Sequence, residues 1–170
     1  MNQEDFPEAL AIKMEALPLI FPLHMVTGAL TLLAVPAAYL LRRTRAHRWA
    51  GGMTAALVVV AGLTAIPVAW IAPVTPWSGA GFMAQGIAWL TTLGLGLHAL
   101  WKRSYASHRY YMLLMAAITS GAAFFRLWLG LFAMGGSYRH YHLFYSLDSW
   151  CGWLLPLGVA IIVLKKPHLR

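Results

Sequence analysis

The chain has 170 residues, of which 60% are hydrophobic and 11% charged, and a formal net charge of +8. Water cannot solvate that much apolar surface, which excludes a soluble globular domain and the soluble basic face that nucleic-acid binding would need. The positive excess instead suits membrane topology and anionic lipid.

In chain order, the first 16 residues carry Glu4, Asp5, Glu8 and Glu15 where a cleavable signal peptide would have a basic start. No small-residue cleavage site follows, so the first apolar segment is expected to be retained. Uninterrupted apolar runs then cover roughly 19–41, 49–72, 79–101, 110–134 and 142–164, each near the ~20 residues that cross a ~30 Å hydrocarbon core. The alternation of barrel strands is missing, and exposed peptide groups are not tolerated in lipid, so the runs are expected to be helices. The reading is an all-α polytopic membrane protein: one domain over 1–170, five transmembrane helices and a four-helix bundle core. Pro22, Pro36, Pro67 and Pro156 are expected to kink these helices rather than end them.

Charge sets the expected orientation. Arg42, Arg43, Arg45 and Arg48 follow the first run, Lys102, Arg103 and Arg109 follow the third, and Lys165, Lys166 and Arg170 follow the fifth. All three clusters fall on one side, while the other side has Lys13 and Arg139 beside the N-terminal acids. The positive-inside rule then places the N-terminus outside and the C-terminus in the cytoplasm, as a multi-pass protein of a bacterial inner membrane.

A short pattern recurs after two of the basic turns, as Ala46-His47-Arg48-Trp49 and Ser107-His108-Arg109-Tyr110. The runs they open are the second and fourth, diagonal neighbours in an up-down four-helix bundle, so His47 and His108 can approach one iron from opposite faces. Gly51, one turn beyond His47, leaves room for a porphyrin, whereas Met112 stands at the matching place after His108. Arg48 and Arg109 suit haem propionates. These residues predict non-covalently held haem b, since the single Cys151 provides no attachment motif. His98, one turn inside the third run, is the rival ligand. The competing reading makes both histidines ordinary interfacial residues of a basic cluster.

Toward the outer side, His24 repeats the His-x-x-x-Gly spacing with Gly28, but the third run offers only Gln85 opposite it. Arg126 and Asp148 lie inside the fourth and fifth runs at matching depth, and intramembrane charges mark either a structural pair or a site. His24, Gln85, Arg126 and Asp148 therefore form a candidate polar pocket for a quinol head group or another reductant. The eight tryptophans fall mostly near run ends, as an aromatic belt would.

His47-Arg48-Trp49, His108-Arg109-Tyr110-Tyr111-Met112 and Phe125-Arg126-Leu127-Trp128 resemble the bacterial membrane family of domain of unknown function 2306, over roughly 20–130. That resemblance implies architecture more than chemistry. A more distant one is to transmembrane cytochromes of the b-561 type, in which four histidines hold two haems. His47 and His108 are similar to that family's cytoplasmic-side pair, and Met25-Val26-Thr27-Gly28 is similar to a segment beside one of its outer ligands. The outer pair does not carry over, because Asp148 stands where a ligand motif around Tyr145–Trp150 would have histidine. The leading expectation is thus a b-type electron-transfer protein with one bis-histidine haem near the cytoplasmic side. The alternative is a non-catalytic accessory subunit of a larger, respiratory membrane complex; a small carrier built on His24, Arg126 and Asp148 is third.

Overall fold

The computed structural model describes residues 5–71, 73–135 and 137–165, with the backbone alone for 5–10, 138 and 165. Six helices follow in order: α1 Asp5–Ala16, α2 Ile20–Leu40, α3 His47–Trp70, α4 Pro76–Trp101, α5 Tyr105–Gly135 and α6 Tyr141–Lys165. Helices α2 to α6 are long and apolar enough to cross a membrane, as the five runs anticipated. No strand occurs among the described residues.

Helices α3 to α6 all begin earlier than their apolar runs, and α3 and α5 do so within basic segments. The His47 N–H bonds to Thr44 O and the Ala50 N–H to Ala46 O, so the α3 ladder starts within the basic segment. Likewise α5 begins at Tyr105, and its His108 N–H bonds to Ser104 O. Hydropathy marks where lipid begins, not where the peptide hydrogen bonds do. As expected, Pro36, Pro67 and Pro156 lie inside continuous helices.

The short α1 was not anticipated, because 12 residues with several charges carry no spanning signal. It is fastened by Lys13, whose Nζ donates to Val68 O at 2.9 Å in the last turn of α3. A cation there also meets the negative end of the α3 dipole. Burial pushes the Lys13 amine below its ordinary value of 10.5. The docked helix therefore binds fewer protons than the free one just below pH 10.5, so docking strengthens as pH rises and levels off above 10.5. A spin label at the exposed Ala11 is expected to lose mobility as pH rises toward 10.5, and Lys13→Met to remove that dependence; mobility that rises with pH would contradict it.

Helices α2, α3, α4 and α5 form an antiparallel ring with α3 and α5 on its diagonal. Val35, Val58, Leu93 and Met115, one from each helix, meet at its centre, with Ala55, Trp89, Met112 and Ala116 packed around them. The α3–α4 contact is close because Gly62 lies under Leu90: a Cβ there would come within 2.7 Å of the leucine. α6 packs outside the ring, in the groove between α4 and α5. The buried threonines turn their hydroxyls back on their own helices, Thr31 to Thr27 O, Thr54 to Ala50 O and Thr119 to Met115 O at 2.7–2.9 Å. Lipid offers those groups no partner, so the helix itself satisfies them.

At the end opposite the basic turns, Thr75 and Ser78 form a reciprocal capping box around Pro76 at the start of α4. Thr75 Oγ1 also lies 2.6 Å from Ser146 Oγ, and the Trp150 indole N–H donates to Trp77 O at 3.1 Å, tying that cap to α6. Trp49 and Trp101 are exposed at one end of the bundle, Trp70 and Trp77 at the other, which is the expected belt arrangement.

Candidate functional site

The turn before each candidate ligand is built from local hydrogen bonds. Between α2 and α3, Leu41–Arg43 tighten into a 3-10 turn and Thr44 Oγ1 donates to Leu41 O at 2.9 Å. Between α4 and α5, the Ser104 N–H reaches back to Ala99 O and the Arg103 N–H to Leu100 O, a Schellman closure with Arg103 at φ 56°. Both turns are compact, so each following helix folds straight back on its predecessor.

That return brings His47 Nδ1 to 3.0 Å from Ala38 O on α2, and His108 Nδ1 to 2.8 Å from Gly96 O on α4. A carbonyl only accepts, so each Nδ1 carries the proton and each Nε2 is left with its lone pair. Histidines that ligate metals are held in this way: one ring nitrogen is spent on a carbonyl, which fixes the tautomer and the ring plane. Both rings are half-buried at the same end of the ring of helices. Counted at ~1.5 Å per residue through the contacts Gly62–Leu90 and Gly96–Met112, His108 lies about 7 Å, nearly one and a half turns, deeper than His47.

Room differs on the two sides, as the sequence implied. A Cβ on Gly51 would meet only the His47 ring, at 4.0 Å, and one on Gly52 would meet nothing. Beyond His108, Met112 is packed into the core and its Cε presses on Gly96. Any flat group held by both histidines therefore leans toward α3. Arg48 and Arg109 are exposed beside their histidines, available to anionic substituents. His98 is exposed on the outer face of α4 with its ring 5.7 Å from Trp101, so it is turned away from the diagonal. Among the described residues no group of three or more His, Cys, Asp or Glu converges as a metal site; two-histidine ligation is a different arrangement.

Toward the end away from the basic turns, three of the four polar candidates, His24, Gln85 and Arg126, are held by separate hydrogen bonds. His24 repeats the tether: its Nδ1 lies 3.0 Å from Ala61 O and 3.3 Å from Thr64 Oγ1 on α3, again leaving Nε2 available. Its charged neighbours are Arg126 and, from α1, Lys13. Gln85 Nε2 donates to Ile118 O at 3.2 Å. Arg126 Nη1 donates to Ala122 O of its own helix at 2.8 Å, while Asp148 is buried on α6 with Oδ2 unpartnered. No Arg126–Asp148 ion pair forms. Their depths agree, but Arg126 stands one residue, about 100°, round α5 from Phe125, whose ring packs on Tyr145 of α6. Lys13 and the tyrosines at 141 and 145 were missed by sequence reasoning. The signal for the tyrosines was their heptad-like spacing with Asp148.

No curated protein and no solved structure matches the chain. One family model does, described as "Predicted membrane protein (DUF2306)", and the match runs over residues 21–164, from the start of α2 to the end of α6. The chain belongs to this DUF2306 family of predicted membrane proteins.

Proposed function

We propose that the protein is a b-type haem-binding membrane protein taking part in electron transfer, with His47 and His108 as axial ligands. The observation that carries this reading is the paired tether: each imidazole spends Nδ1–H on a backbone carbonyl and keeps Nε2 as a directed donor. Gly51 and Gly52 leave space beside His47, and Arg48 and Arg109 are placed to neutralise propionates. When bound, the haem would supply one-electron redox chemistry. The chain's own residues fix the ligand tautomer, hold each ring against the neighbouring helix of its hairpin and shield the core side with Val35, Val58, Leu93 and Met115.

The proposal places the histidine end in the bacterial cytoplasm, because Arg42, Arg43, Arg45, Arg48, Lys102, Arg103 and Arg109 cluster there. In a Cys151→Ser background, a cysteine at Ser137 is expected to react with an impermeant maleimide from the periplasmic side, and one at Ser104 only after lysis. The reverse labelling would invert the orientation. On the outer side, the free Nε2 of His24 beside Arg126 and Lys13 suits a quinol or another reductant as donor.

Purified after expression with ample haem, the protein is expected to show a Soret band and a reduced α-band. A colourless but fully assembled protein would reduce the tethers to staples within each hairpin, and leave the accessory-subunit reading in their place.

A further inference from the structure

Among the described residues, three side-chain polar atoms are sealed from solvent without a hydrogen-bond partner, and all three belong to α6: Tyr141 Oη, Asp148 Oδ2 and Trp153 Nε1. Asp148 is 4% exposed and Trp153 6%. Tyr141, Tyr145 and Asp148 stand at i, i+4 and i+7, one stripe along the helix. The stripe begins at the outer end of α6, beside the exposed Arg139 and His140, and runs inward toward Trp153. Its tyrosine rings are 5.6 Å apart, and Tyr145 is set edge-on against Phe125 at 5.2 Å and Phe82 at 6.0 Å. Aromatic rings thus wall the stripe off from the four-helix core.

A carboxylate alone among such neighbours is costly to bury, and the usual remedies are missing here. α5 brings Arg126 to the same depth, but its Nη1 is engaged with Ala122 O. α4 brings Phe82 and Gln85, neither titratable, and the Gln85 amide is bonded to Ile118 O. Within α6 the titratable neighbours of Asp148 are Tyr145 and Tyr141, and Tyr145 also lies within electrostatic reach of Arg126 on α5, which makes no ion pair with the carboxylate. The neutral acid is the form these surroundings accept without a counter-ion. About 10 Å of helix separates Tyr141 from Asp148, and Tyr145 stands between them on the same stripe.

We infer that α6 carries a proton-binding site separate from the histidine end: Asp148 is a membrane-embedded carboxyl that exchanges a proton with the outer side by way of Tyr141 and Tyr145. In the uptake step a hydronium ion gives its proton to the carboxylate, an O–H bond forms on Asp148 and water is released; the return step is the reverse. The ligand is the proton, carried on water, and no electron is transferred. Neither His47 nor His108 enters, so the site stands or falls independently of haem binding.

The test is infrared spectroscopy of the full-length protein in phospholipid vesicles. A protonated-carboxyl C=O band is expected to grow in on mild acidification, absent in Asp148→Asn and displaced in Asp148→Glu. Tyr141→Phe, which keeps the ring and removes only the hydroxyl, is expected to slow deuterium exchange of that band about tenfold, the effect of one lost hydrogen bond. A lipid-soluble carbodiimide is expected to modify Asp148 in the wild type, as read by mass spectrometry of the α6 peptide. A spectrum in which Asp148→Asn removes no carboxyl band overturns the site. Equal exchange rates in wild type and Tyr141→Phe overturn the route.

Discussion

His47→Ala and His108→Ala are each expected to lower haem content at least about tenfold, since removal even of the groups that orient a metal ligand costs 10- to 100-fold. Alanine also removes a hairpin hydrogen bond, worth about 1 kcal/mol, and a partly assembled protein would lose haem for that reason alone. Glutamine separates the two effects. Its amide can still donate to Ala38 O or Gly96 O, but it provides no nitrogen lone pair for iron. His47→Gln and His108→Gln are therefore expected to elute and melt like the wild type while remaining colourless. If instead both glutamine variants keep a full Soret band, neither histidine is a ligand. His98→Ala is expected to leave the spectrum unchanged, because that ring lies on the outer face of α4 against Trp101.

Gly121→Leu is expected to dislodge α6. A Cβ at that position would lie 2.6 Å from Trp153 Cβ and 2.8 Å from Trp153 Cα, with Gln85 Nε2 at 2.9 Å. One of the colliding atoms is backbone, so no rotamer change relieves the contact; α6 must move. Overpacking typically costs about 1–3 kcal/mol for extra methylenes that a core can absorb, and leucine here adds a whole branched side chain against a helix axis. The expected result in detergent is a melting transition lowered by about 6–12 °C, on the order of what ~3 kcal/mol does to a chain of this size, with faster proteolysis of the α5–α6 connection. Gly130→Leu, nine residues further along the same helix where a Cβ meets nothing within 4 Å, is the matched control. Equal melting of the two variants would show that the α5–α6 seam has slack that the close approach of Gly121 and Trp153 denies.

The spans and the clustering of positive charge at one end were legible in the sequence because both follow from composition along the chain. The histidine pair was legible because the same four-residue step follows two basic turns. What could not be read was rotation. Arg126 and Asp148 match in depth, which residue counting gives, yet they face different neighbours, which depends on the packing of Phe125 against Tyr145 and of Gly121 against Trp153. The tethers were hidden for a related reason, since Ala38 and Gly96 contribute only carbonyl oxygens and their side chains carry no signal. α1 escaped because it is short and charged and is tied by Lys13 to the end of α3, with no apolar span to announce it.

The two tethers also bear on how the chain is made. Each closes a hairpin over a short separation, nine residues for His47 and Ala38 and twelve for His108 and Gly96. Each can therefore form as soon as its second helix leaves the insertion machinery, without waiting for the rest of the protein. The expected order of assembly is two self-closing pairs first and α6 last, its Ser146 and Trp150 then meeting the start of α4.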